Sequence, residues 1–100
     1  MIDSDRDAYS DEQFEQLLRF FQVFSNESRL KIIGYLAGKE RSVGELAKLL
    51  DLKEPTVSHH LAALRDIGLV SVRADGTMRI YRLDVKVLEA MSKDIFARSS

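Results

Sequence analysis

The stretch that most constrains this chain is residues 46–70, LAKLLDLKEPTVSHHLAALRDIGLV. Apolar residues at helical spacing on either side of Leu52-Lys53-Glu54 predict a short helix, a tight turn and a second helix beginning near Pro55. Proline is tolerated in a first helical turn, where its missing N–H costs nothing. The second helix carries Thr56, Ser58, His59 and His60 on its first turns. Leu61, Leu64 and Ile67 form its core side, and Gly68 stops it. A helix divided in this way buries one face and offers hydrogen-bonding groups to a DNA major groove with the other.

The segment that follows, VSVRADGTMRIYRL, predicts a β-hairpin. Val70 and Val72 alternate with Ser71 and Arg73, and Asp75-Gly76 is a strong turn signal. Met78 and Ile80 continue the apolar alternation on the return strand, out to Leu83. Helix-turn-helix followed by a hairpin is the winged-helix arrangement. The expected fold is therefore mainly α with a small β-hairpin: a winged helix-turn-helix of five helices plus a two- to three-stranded wing.

The remaining helices flank this unit. Residues 1–9 show no periodicity and are expected to form a flexible acidic arm, with one domain over 10–98. Ser10 and Gln13 make a capping-box pattern, and Phe14, Leu17, Leu18, Phe21 and Phe24 follow at helical spacing. Phe20 and Val23 lie off that stripe. A second apolar face in so small a domain points to another chain, the alternative being that both faces pack internally. Asn26 or Ser25 can cap a second helix through Leu30, Ile32, Ile33, Tyr35, Leu36 and Ala37, ended by Gly38. Ser42 and Glu45 repeat the capping-box pattern before a helix with Leu46, Ala47, Leu49 and Leu50 inward. Asp84 can cap a last helix containing Val87, Leu88, Met91 and Ile95. Its broad apolar face places it beside the first helix at a dimer seam, so Phe14, Leu17, Leu18, Phe21, Leu88, Met91 and Ile95 are the dimerisation candidates.

Composition narrows the function classes. One hundred residues, 45% hydrophobic and 31% charged, suit one soluble globular domain. No apolar run is long enough for a transmembrane helix, and the acidic N-terminus is not a secretory signal. Cysteine is absent, which excludes disulfides, thiolate metal sites and thiol redox sensing. A cytoplasmic location is the natural expectation. The net charge of −1 is unevenly distributed. Residues 1–18 hold six acids and one base, leaving a mild basic excess in the rest, including Lys53, Arg65, Arg73, Arg79 and Arg82.

These residues together resemble the ArsR-type (arsenic-repressor-like) winged-helix transcriptional regulators. The matching pieces are FSNESRLKIIGYL, SVGELAKLL, the long run PTVSHHLAALRDIGLV, and the wing ending Tyr81-Arg82-Leu83. The resemblance covers about residues 14–96. It implies a homodimeric DNA-binding repressor acting on double-stranded DNA at an imperfect palindromic operator. It also carries the family's base-reading positions onto Thr56, Ser58 and His59, with His60 beside them. Around these, Lys53, Pro55, Arg65, Arg73 and Arg79 complete the DNA-binding candidates. Two local departures stand out. Lys53 occupies a position where the family often has a capping Ser, and Thr77 one where a basic residue often follows the turn Gly.

The family's metal sites do not carry over. The positions of the two thiol ligands before the turn fall on Ser42 and Gly44, and the last helix offers Asp84, Glu89 and Asp94 without a His. The reading is thus a regulator with no metal and no cofactor, responsive to an unknown small-molecule or protein effector. Three alternatives follow from the same residues. The acidic total charge and acidic N-terminal arm suit a protein-interaction module on a winged-helix scaffold. FARSS directly after an amphipathic helix suits the DNA-binding part of a longer regulator. Ser58 beside His59 and His60 suggests a nucleophile–base pair, but neighbouring helical side chains diverge and no Gly-rich elbow is present, so an enzyme is not expected.

Overall fold

The computed structural model describes residues 10–97, with side chains through Lys93. Helix α1 spans Asp11–Phe24, α2 Glu27–Gly38, α3 Val43–Leu50, α4 Glu54–Asp66 and α5 Val85–Ala97. Strand β1 is the two-residue piece Arg41–Ser42, while β2 (Val70–Asp75) and β3 (Met78–Leu83) form the wing. The sheet is antiparallel in the order β1-β3-β2. This is the five-helix winged helix-turn-helix expected from the sequence, with the wing in its three-stranded form.

Local chemistry sets the boundaries. Ser10 accepts from the Gln13 backbone N–H at 3.1 Å, and the Gln13 side chain accepts from the Ser10 N–H at 2.7 Å. Ser42 and Glu45 make the same reciprocal pair, at 3.1 Å in both directions. Each box satisfies two backbone donors that a helix start otherwise leaves open. Bonding to the Ser42 backbone also holds the Glu45 carboxyl below its ordinary pKa. Of the two candidates to start α2, Asn26 is the cap. Helix α3 ends on Asp51 in the left-handed conformation (φ 55°), a conformation that Asp tolerates better than most residues. Gly68, with φ 80°, turns the chain from α4 into β2.

The core lies where α2, α3, α4 and the base of the wing converge. Ile32, Leu46, Val57, Leu61, Leu64 and Leu69 are its fully buried side chains, joined by Leu36, Tyr81 and Leu83. Burying each such side chain contributes about 1.5–3 kcal/mol, so this cluster fixes α4 against its neighbours. Ile67 and Leu50 are half-buried at its margin. Leu49, expected inside, is instead exposed, as is Leu30. Both sit on helices whose inward stripe is already filled, by Ile32 and Leu36 in α2 and by Leu46 and Ala47 in α3.

The wing required a correction of parity. The strand pairing sets Val70 opposite Leu83, Val72 opposite Tyr81 and Asp75 opposite Met78. Opposed residues share a face, so the buried face of β3 carries Tyr81 and Leu83 rather than Met78 and Ile80. Met78 is exposed and Ile80 half-buried on the outer face. The turn is formed by Gly76-Thr77, one residue later than Asp75-Gly76, with Gly76 at φ 63°. That step slides the pairing by two residues and leaves the faces unchanged; Tyr81 and Leu83 face inward because they oppose Val72 and Val70.

Candidate nucleic-acid interface

The turn between α3 and α4 lets the second helix project its polar side. Val57, Leu61 and Leu64 face the core, and at about 100° per residue His59 lies nearly opposite them. Thr56 and Ser58 flank His59 on either side. All three are exposed, as are Lys53, Pro55 and Arg65. Lys53 is the N-cap of α4 but makes no side-chain capping bond. Pro55 has no N–H, and the Val57 N–H bonds the Lys53 carbonyl at 3.1 Å. The N–H groups of Glu54 and Thr56 are thus left without a side-chain cap, beside an exposed lysine and a hydroxyl.

His60 differs from its neighbour. It is half-buried, and its Nδ1 accepts a hydrogen bond from Arg29 Nε of α2 at 3.1 Å. Its ring lies 6.0 Å from that of His59, centroid to centroid, with the planes 58° apart. The two histidines therefore serve different directions. Burial, then the positive charge of Arg29, then His59, push the His60 pKa below its ordinary value.

The wing arginines also part company. Arg73 is opposite Ile80 and Arg79 is opposite Ala74, so the two lie on opposite faces of the hairpin. Arg73 Nη2 donates to Glu40 Oε1 at 2.9 Å, and this bond raises the Arg73 pKa further. Arg79 is exposed and has no bonded partner among the described residues. Arg82, on the Arg73 face, donates weakly to Ser71 Oγ at 3.4 Å. Neither long-range partner, Glu40 or Arg29, was singled out from sequence. Each lies more than thirty positions from the residue it holds, and no spacing pattern encodes such a pair.

The dimerisation candidates divide as well. Phe14, Leu18 and Phe21 are 54%, 58% and 56% exposed and lie along one face of α1. Leu17, by contrast, is half-buried. With Phe20, Ile67 and Met91 it lines a cleft of about 360 Å³ between α1, the end of α4 and α5, which Gln13, Gln16, Arg19 and Asp66 also line. Leu88 and Met91 pack partly against the core. Ile95 lies beyond the described side chains, and residues 1–9, the expected acidic arm, lie outside the described residues.

Ser42, one of the two positions carried over from the family's thiol site, is buried and occupied as the N-cap of α3. Among the described residues no group of three or more His, Cys, Asp or Glu is placed to hold a metal ion. No helix among them is long and apolar enough to cross a membrane.

A helix-turn-helix with an exposed polar face on its second helix, followed by an arginine-bearing wing, defines a winged helix-turn-helix DNA-binding protein. Comparison with known proteins agrees. The family described as bacterial regulatory protein, arsR family, matches residues 26–72. The HTH-type transcriptional regulator KmtR of Mycobacterium tuberculosis is 39% identical over 82 residues, covering 82% of this chain and 63% of KmtR. Among solved structures, reduced HlyU from Vibrio cholerae is 32% identical with a TM-score of 0.70, covering 82% of this chain and 87% of that one. The homodimeric winged helix-turn-helix DNA-binding domain of Mb0332 from Mycobacterium bovis is 31% identical with a TM-score of 0.71, covering 91% and 90%. The chain belongs to the ArsR family of bacterial regulatory proteins. That membership makes it a DNA-binding transcriptional regulator rather than an enzyme.

Proposed function

We propose that this chain is a homodimeric repressor that binds an imperfect palindromic operator, reading bases with Thr56, Ser58 and His59 and contacting the DNA backbone with Lys53, Arg65 and Arg79. The observation that carries this reading is the exposed polar face of α4, rigidly backed by Val57, Leu61 and Leu64. The uncapped start of α4 adds support. Backbone N–H groups at a helix N-terminus that lack a side-chain acceptor suit a phosphate oxygen. Homodimerisation rests on the Phe14–Leu18–Phe21 face and on the homodimeric state of the Mb0332 domain. The expected regulation without metal follows from what stands at the carried-over ligand positions, Ser42 and Gly44. A cytoplasmic location follows from the role.

The test is a pair of substitutions assayed for binding to an enriched operator and to random duplex. Thr56→Ala and His59→Ala should each lose about 1–3 kcal/mol of discrimination at particular base pairs. Variants that discriminate as the wild type does would show that α4 does not read the bases.

A further inference from the structure

Arg29 of α2 and His60 of α4 present a second, composite feature beside the recognition face. A neutral imidazole whose Nδ1 accepts a hydrogen bond carries its proton on Nε2. The 3.1 Å bond from Arg29 Nε therefore selects one tautomer of His60. Among the described residues no buried side-chain nitrogen or oxygen lacks a hydrogen-bond partner, and His60 Nε2 makes no hydrogen bond to the protein. Nε2–H consequently faces solvent as a donor.

The same reasoning applies to Arg29. It forms no ion pair with a carboxylate among the described residues, and its Nη groups face solvent. The pair thus offers one full positive charge and a neutral donor side by side, with no acceptor between them. It sits on the flank of α4, one helical turn after Thr56 and on the side nearest α2. We propose that Arg29 and His60 together hold a DNA backbone phosphate at the edge of the major groove, with Arg29 also acting as the positioning residue that orients His60. This rests on the DNA-binding reading above. A base edge would also satisfy Nε2–H. The unneutralised guanidinium and the flanking, half-buried position of His60 favour the phosphate, which demands charge and no sequence.

The experiment titrates wild type, Arg29→Met, His60→Leu and His60→Gln with a random-sequence duplex and with a duplex enriched from genomic fragments, over a range of salt. Nitrogen-15 NMR of each free protein reports the His60 tautomer. The expected result is an Nε2–H tautomer in the wild type and loss of that bias in Arg29→Met. Arg29→Met should weaken binding about tenfold on both duplexes. It should also flatten the slope of log affinity against log salt by about 0.9. His60→Leu should weaken both duplexes by one common factor. His60→Gln, whose amide can accept from Arg29 and donate outward, should stay near wild type.

A wild-type Nδ1–H tautomer would overturn the positioning role even if Arg29→Met fails to fold. An unchanged salt slope in Arg29→Met, or losses confined to the enriched duplex, would overturn the phosphate contact. A wild type that binds neither duplex would instead remove the DNA-binding reading itself, and the contact with it.

Discussion

His60 is kept neutral by its surroundings: burial, the Arg29 charge and His59 all lower its pKa from the ordinary 6.5. Arg29, from α2, and His59, on the same helix, are the charged or titratable groups acting on it. Because the folded state disfavours the proton, His60 contributes stability above the unfolded value of about 6.5. That contribution is lost as the pH falls through the lower folded value. Protonation would also place an N–H where Nδ1 now accepts from Arg29. Thermal unfolding followed from neutral to mildly acidic pH should show the wild-type midpoint falling more steeply than that of His60→Gln, which cannot titrate there. Identical pH profiles would show that the bond to Arg29 does not couple to folding. Residue types alone indicated that His59 and His60 must diverge, because adjacent helical positions do. They could not indicate the partner, since Arg29 reaches His60 only once α2 has packed on α4.

At the scale of elements, the helix-turn-helix was legible because its signals are local. Ser42 with Glu45, Pro55 in the first turn and Gly68 after the last all act within a few residues of where they stand. The wing was less legible, because β3 carries large apolar residues on both faces, Met78 and Ile80 on one and Tyr81 and Leu83 on the other, and only the pairing shows which face is buried. Opposite Val72 and Val70, Tyr81 and Leu83 join the core, and Arg73 and Arg79 take opposite faces. The two arginines should then contribute unequally to DNA binding. Arg79→Ala should weaken binding similarly on all sequences and flatten the salt dependence by roughly one unit. Arg73→Ala should lose less, its charge being already matched by Glu40. Glu40→Gln should strengthen binding to random duplex by releasing Arg73. Titrations of the three variants over salt check this ordering, and a larger loss for Arg73→Ala than for Arg79→Ala would reverse the assignment of the wing faces.

For the whole molecule, the outward face of Phe14, Leu18 and Phe21 is the surface on which two copies are proposed to meet. The sequence revealed that α1 had more apolar surface than one core needs. It did not show that Leu17 turns inward to the cleft with Met91, because α1 is apolar on both sides of that boundary. Leu18→Glu would bury a carboxylate in the seam. Sedimentation should show a monomer at concentrations where the wild type is dimeric, with DNA affinity falling accordingly; an unchanged dimer would move the interface elsewhere. Two recognition helices related by a two-fold axis enter successive major grooves about 34 Å apart. The most direct measurement incubates the purified protein with fragmented genomic DNA from its source at near-physiological salt and sequences what is retained. Enrichment of inverted-repeat sites with half-sites about one helical turn apart is the predicted result. Retention without any shared sequence, or of a single unrepeated site, would contradict a dimer that reads its operator through α4.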